Sequence, residues 1–326
     1  MARALRIQYP GAVYHVTHKG NERRSIFSTD DDRYKFLKII STGQETYSVI
    51  LHSYVLMDNH FHLLVETPRG NLAEFMRYLN ITYTSYFNRT YSRSGHLYQG
   101  RYKSYLIEKE TYLSAVSRYI HLKPSRTKSI QTRSSKEQLR YLVSYRWSSL
   151  SGFTNLAKRS DFVKYRYILE EFGGDTAAGR AAYKKQIMLD LTRGEVIPDS
   201  IVGNSVLGTE HFISMVREKY LPVNKDRERP AIGKIMSYGS EKKIIGIIAG
   251  VAKVSEEELL TTPGVMRQVA MAMLYQHGGL TNPQIGKLMG IDYSTVSQGR
   301  KRLRSRVKTD MDLSVLLEEI NSLCQG

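Results

Sequence analysis

The sequence predicts an α+β protein: an antiparallel sheet backed by helices, followed by an all-α C-terminal part. Three observations lead there. Segments of period-two alternation and segments of helical spacing follow one another as strand, helix, strand, strand, helix, strand, then a further helix. That order is the split β-α-β pattern of ferredoxin-like sheets, which cover one face with helices and leave the other for a site. From Glu241 onward only helical patterns occur. A chain of 326 residues with 41% hydrophobic content is long enough for two or three domains with their own cores.

Residues 12–18 read as the first strand, turned by Gly20-Asn21. Asp30-Asp31-Asp32 opens a helix to about Ser41, with Tyr34, Leu37 and Ile40 along one side. Tyr54 to Glu66 reads as two strands joined by a tight turn at Asp58-Asn59. Asn71 caps a long helix through about Tyr91, with Leu72, Phe75, Leu79, Tyr83 and Phe87 on its apolar stripe. Residues 101–108 alternate as a fourth strand. Thr111 is expected to cap a helix that Pro124 ends, and residues 125–140 to be a polar, basic loop. Trp147-Ser148-Ser149 is expected to pack back on the first domain, and Glu170 to Arg193 to be helical with a break at Gly173-Gly174. Asn224 to Pro230 reads as a charged linker. Residues 241–260 and 264–277 each read as one helix. Thr281 to Gly290 is a short helix with a cap, a proline in its first turn and a terminal glycine. Ile291-Asp292-Tyr293 turns into a polar helix from Ser294, a helix-turn-helix pattern. A plain pair of packed helices gives the same pattern.

The formal net charge of +17, from 48 basic and 31 acidic residues, favours a polyanionic partner, nucleic acid first. No run approaches a membrane span, and the N-terminus lacks the apolar core of a signal peptide. Cys324 is the one cysteine, which excludes an intramolecular disulfide or a cysteine zinc cluster, and the chain is expected to be cytoplasmic.

His60 and His62 stand two apart on a strand, so both imidazoles leave one face while Phe61 enters the core. Such a pair is half of a metal site, although histidine pairs on strands also occur as plain surface residues. Between Phe75 and Ile107 there is no acidic residue, while Arg77, Arg89, Arg93, Arg101 and Lys103 are interleaved with seven tyrosines. That combination suits single-stranded nucleic acid, whose bases stack on rings. Tyr83 and Tyr86 are expected in the core instead. Six of residues 300–308 are Lys or Arg, among them Arg300, Lys301, Arg302 and Arg304, placed to meet phosphates. Ser294, Thr295 and Gln298 are the candidates for base edges. Tyr119 lies in a helix that follows the fourth strand; spacing alone makes it a packed helix tyrosine, while a site beside the histidines would make it a nucleophile.

The stretch Tyr54-Val55-Leu56-Met57-Asp58-Asn59-His60-Phe61-His62-Leu63-Leu64-Val65 resembles the histidine-hydrophobic-histidine (HUH) transposases with a single tyrosine, and within them the REP-associated tyrosine transposases. Tyr9 to Val16, Gly20 to Arg24, Gly95 to Ser104 and Arg118 to Pro124 agree, so the resemblance covers residues 1 to about 155. It implies cleavage and rejoining of single-stranded DNA at hairpin-flanked sites through a 5′-phosphotyrosine link. By position Tyr119 matches the nucleophile, and His60 with His62 the ligands of a divalent ion, Mg²⁺ or Mn²⁺. The family usually has Asn or Gln four residues after the tyrosine; this chain has Lys123, and a protonated lysine cannot ligate a cation. The stretch Gly286 to Val296 resembles the DNA-binding domain of the replication initiator DnaA, over residues 240–308.

The domains expected are therefore a ferredoxin-like HUH nuclease domain at 1–155, a helical connector at 156–238, a helix-turn-helix DNA-binding domain at 239–310 and a tail helix at 311–326. The partners expected are a single-stranded hairpin and duplex DNA, with no membrane, and the protein a monomer or homodimer. Two further classes stay open. One is a DNA-binding regulator or structural protein that kept the fold and lost turnover, which Lys123 favours. The other is a metal phosphodiesterase without a covalent intermediate, which would not need Tyr119.

Overall fold

The computed structural model describes residues 7–193, 201–202, 205–221, 235, 241–307 and 309–325. The expected linker at Asn224 to Pro230 lies outside them. The chain divides into two compact units, Arg6–Pro198 with Leu207–Thr209, and Asp199–Val206 with Glu210–Gly326 and Met1–Leu5.

The first unit is the α+β part. Strands β1 (Ala12–Lys19), β2 (Ile50–Met57), β3 (His60–Thr67) and β4 (Lys103–Ile107) run antiparallel in the order β2-β3-β1-β4. The tight turn at Asp58-Asn59 is as read, with Met57 paired to His60. Helices α1 (Asp30–Tyr47) and α2 (Leu72–Thr90) cover one face. Phe61 enters that side, its ring 4.9 Å from Phe36, which in turn lies 4.9 Å from Tyr83. Full burial of one such side chain stabilises by roughly 1.5–3 kcal/mol, so this aromatic stack fixes the face that β3 turns inward. A Cβ on Gly43 of α1 would lie 3.0 Å from the Phe75 and Tyr78 rings, so glycine permits the close approach of α1 and α2.

The other face is not left free, as the pattern predicted. Helix α3 (Lys109–His121) lies across it, against β1, β2 and β3. Its N-cap is Glu108, not Thr111: the Glu108 carboxylate reaches forward to accept from Thr209 while its own N–H donates to the Leu207 carbonyl. The stretch expected as a loop at 125–140 holds helix α4 (Ser135–Ser144), opened by a capping box in which Ser134 and Glu137 satisfy each other's backbone. Helices α5 (Leu150–Thr154), α6 (Arg166–Leu169) and α7 (Ala177–Arg193) complete the unit. The break expected at Gly173-Gly174 is present, with φ of 91° and 94°. Residues 156–193 thus belong to the first unit. Trp147-Ser148-Ser149 does pack back: Leu56 N–H donates to Trp147 O, and Ser149 N–H to Tyr54 O. With Lys164 N–H donating to Leu51 O, the outer edge of β2 is closed by the protein's own chain.

The second unit is helical beyond β-pairs at its start: α8 (Glu210–Tyr220), α9 (Glu241–Ala252), α10 (Glu256–Thr261), α11 (Val265–Gln276), α12 (Asn282–Met289), α13 (Tyr293–Arg306) and α14 (Met311–Gln325). The single helix expected at 241–260 is two, because Ser255 caps α10 anew by accepting from Glu258 N–H. Ile244, Ile248, Val269, Leu274, Ile285, Val296, Leu303 and Ile320 form its core. Thr281 and Gln284 make a capping box at α12, and Gly290 at φ 66° ends it. Asp292 caps α13 by accepting from Ser294 N–H, so that helix begins one residue earlier than expected.

Among the described residues no helix is long and apolar enough to cross a membrane.

Candidate active site

β3 places His60 and His62 on one sheet face, with ring centroids 5.1 Å apart. A third histidine joins them. The antiparallel register sets Thr17 opposite His62, and two residues along β1 stands His15, whose Nε2 lies 2.8 Å from His62 Nδ1. The His15 and His62 rings stack at 5.1 Å, inclined by 22°. His15 falls within the stretch Tyr9 to Val16, and no site role was expected of it. The pairing of β1 with β3 that unites the histidines is a long-range contact; the available signal was His15 among alternating β-formers.

Burial holds these imidazoles neutral. It lowers His15 to about 3, with the Lys123 ammonium adding to the effect, and lowers His60 to about 4 and His62 well below its ordinary value. Hydrogen bonds orient the rings. His60 Nδ1 lies 2.7 Å from Asn59 Oδ1, an acceptor, so the proton sits on Nδ1 and the Nε2 lone pair is left. If His62 donates through Nδ1 to neutral His15, its Nε2 is left likewise. This is the arrangement by which second partners orient metal-ligating histidines. The donor set therefore suits two nitrogen ligands of one divalent ion. Among the described residues no cluster of three His, Cys, Asp or Glu supplies a third.

Tyr119 reaches this group from α3, its ring edge-on to His15 at 5.8 Å. Three ties hold the helix there. Glu66 on β3 accepts from Lys109 at 2.9 Å and pairs with buried His52 at 2.9 Å. Arg118 pairs with buried Asp190 of α7 at 2.7 Å. His121, fully buried, lies 2.8 Å from both Tyr183 Oη and Ser149 Oγ, and that Ser149 oxygen also accepts from Tyr54 N–H. His121 is thus a brace of α3 and not part of the histidine group.

Lys123 is at the site. Helix α3 ends at His121, and Lys123 opens a 3₁₀ turn to Arg126. Its Nζ sits 3.7 Å from the centre of the Tyr119 ring, with Arg126 at 5.0 Å. Burial, then the charges of Arg126 and Lys19, lower the Lys123 amine to about 7.

The remaining candidates are dispersed. Arg77 and Arg101 line one cleft on the opposite side of the sheet, while Arg89 and Lys103 are exposed elsewhere and Arg93 lies over the Phe87 ring. The tyrosines of the acid-free window are mostly engaged in packing, which corrects their reading as base platforms. Tyr83 is buried as expected; Tyr86 is half-buried and, with Tyr91, donates to buried Asp32. Tyr98 and Tyr102 are buried. In the second unit Ser294, Gln298 and Lys301 share the outward side of α13, and Thr295, Arg302 and Arg304 are exposed. Arg300 differs: it covers the Tyr275 ring at 3.3 Å and donates to Asn282.

A histidine pair on an antiparallel sheet is thus faced by a tyrosine from a helix laid across it. Residues 8–123 match the family model described as IS200-like transposases. A solved structure described as a REP-associated tyrosine transposase bound to a REP hairpin matches 51% of this chain and 95% of its own, at 13% identity and a TM-score of 0.39. No curated protein matches the chain.

Proposed function

We propose that the chain is a DNA transposase that nicks and rejoins single-stranded DNA at hairpin-flanked sites, with Tyr119 as nucleophile and His60 and His62 as metal ligands. The observation that carries this is the contact of Tyr119 with the oriented histidine group. The Tyr119 oxygen would attack the scissile phosphorus, breaking the bond to O3′. The tyrosine proton passes to solvent, the leaving oxygen takes one up, and the products are a 5′-phosphotyrosine and a free 3′-OH. A divalent ion, Mg²⁺ or Mn²⁺, bound at the histidines supplies positive charge to the phosphate. His15 keeps the His62 ring in place, and Lys123 and Arg126 set basic side chains beside the Tyr119 ring. In the second unit, α12 and α13 act as a helix-turn-helix on duplex DNA, through Ser294, Thr295 and Gln298 and the phosphate contacts of Lys301, Arg302 and Arg304.

The test is incubation with a panel of single-stranded DNA hairpins and Mg²⁺ or Mn²⁺, followed by denaturing electrophoresis. A denaturation-resistant adduct is expected, lost in Tyr119→Phe. A second reading, a DNA-binding regulator without turnover, is favoured by the Lys123 amine lying on the tyrosine ring in place of a third ligand. It predicts tight hairpin binding and no adduct with either ion.

A further inference from the structure

Behind the histidine group, on the reverse face of the sheet, lies an open cleft of about 450 Å³ between β1, α2 and the 96–102 loop. Its floor is His18, whose ring stacks on Tyr98 at 4.1 Å and whose two nitrogens each lie 3.2 Å from an oxygen, Asn80 Oδ1 and Gly100 O. We propose that this cleft holds one unstacked nucleotide of the single-stranded DNA that flanks the cleavage site.

Its chemistry fits such a ligand. Arg77 and Arg101 stand exposed at its rim, no acidic residue lines it, and the window 76–106 around it has none. Ile81, 57% exposed, offers an apolar surface for a base on a helix that is otherwise polar toward solvent. Asn80 meets His18 Nδ1 with one end of its amide, which leaves the other end for a base edge. A volume of this size suits one nucleotide and not a duplex.

Position adds to the chemistry. His18 and Lys19 are neighbours on β1 and point to opposite faces. Lys19 raises the positive charge around His60 and Lys123, while His18 floors the cleft. The loop at 97–99 is stitched to the end of β1 by Gln99 N–H to Lys19 O and Asn21 N–H to Leu97 O. A strand rounding that loop passes from one face to the other in a few nucleotides, so the cleft would grip the flank while the phosphate lies at Tyr119.

This inference rests on the proposed reading of the site, and its test is chosen to separate the two. Binding of the full chain is followed by fluorescence anisotropy with a labelled DNA hairpin carrying a single-stranded flank, and with the same hairpin lacking it. Arg77→Ala with Arg101→Ala, and separately Ile81→Asp, should weaken binding of the flanked hairpin by about tenfold, the scale of one base contact. Binding of the bare hairpin should change by less than about twofold. All three side chains are exposed, and the arginine pair carries the test should Ile81→Asp fail to fold. Free dTMP should compete where inorganic phosphate at equal concentration does not. Equal losses on both hairpins would mean a general cationic surface, equal competition by phosphate a plain anion site, and unchanged binding no site; each overturns the inference. The readout needs no cleavage. A chain that binds through the cleft and forms no adduct refutes the nuclease reading alone.

Discussion

Tyr119 and Lys123 meet in a single contact at the end of α3. If the ammonium assists by donating to the scissile phosphate, Lys123→Ala slows adduct formation; if it obstructs the ion, Lys123→Asn speeds cleavage and tightens metal binding, which calorimetric titration with Mn²⁺ would read. At about 4 Å, opposite unit charges interact by ~4 kcal/mol at an effective dielectric near 20, so either influence is large enough to dominate. Titration also marks these residues in stability. Lys123 has a value of about 7 in the folded chain, against about 10.4 when unfolded. Between those values the unfolded chain binds more protons, so stability should rise as pH climbs from about 7 toward 10. Lys123→Met should flatten that rise in urea midpoints. The histidines act on the acid side. His15 and His121 at about 3 and His60 at about 4 stay neutral in the fold. Their contribution is fully present above about pH 6.5 and is lost as pH falls toward 4, by on the order of 1 kcal/mol for each fully buried ring at pH 5.5.

Helix α3 owes its placement to side chains that sequence spacing did not mark. Removing Arg118 would strand the buried Asp190 carboxylate. Arg118→Ala should therefore lower stability by about 3 kcal/mol in denaturant unfolding. His121→Ala would leave the Ser149 and Tyr183 hydroxyls short of a partner, costing about 2–3 kcal/mol and loosening the Tyr119 position. The elements legible in the sequence were those with local periodicity: β3 alternates, α2 repeats at helical spacing, and α12 carries both of its terminal signals. Helix α4 was also legible through Ser134 and Glu137 at capping-box spacing, yet the basic residues around it masked the signal. His15 was not legible as a site residue. Its role comes from the register between β1 and β3, and a shift of one residue would send its ring to the other face.

At the scale of the molecule, an excess of 17 positive charges is shared by two units with different expected targets. A fragment from Glu241 onward contains the buried cluster of the second unit from Ile244 to Cys324, and so carries its own core. It should bind duplex DNA with an affinity that falls steeply with salt, because each phosphate contact releases counterions. Lys301→Ala with Arg302→Ala should reduce the slope of log affinity against log salt by about 2 in filter binding. A fragment with no salt-sensitive binding would make α13 a packing helix. Arg300→Ala belongs to another outcome, since that side chain covers Tyr275 and holds Asn282: it should lower the melting temperature more than the affinity.

The closure of the β2 edge reaches beyond the single chain. An open strand edge is a template on which a second molecule can add a strand, whether in an ordered pair or in an aggregate. Here Trp147, Ser149 and Lys164 already fill those hydrogen-bonding positions from within. Two copies of this protein cannot fuse their sheets through β2 without first peeling that segment away. Its solutions should accordingly resist fibril growth while the fold holds, and become prone to it once residues 147–164 are clipped from the edge.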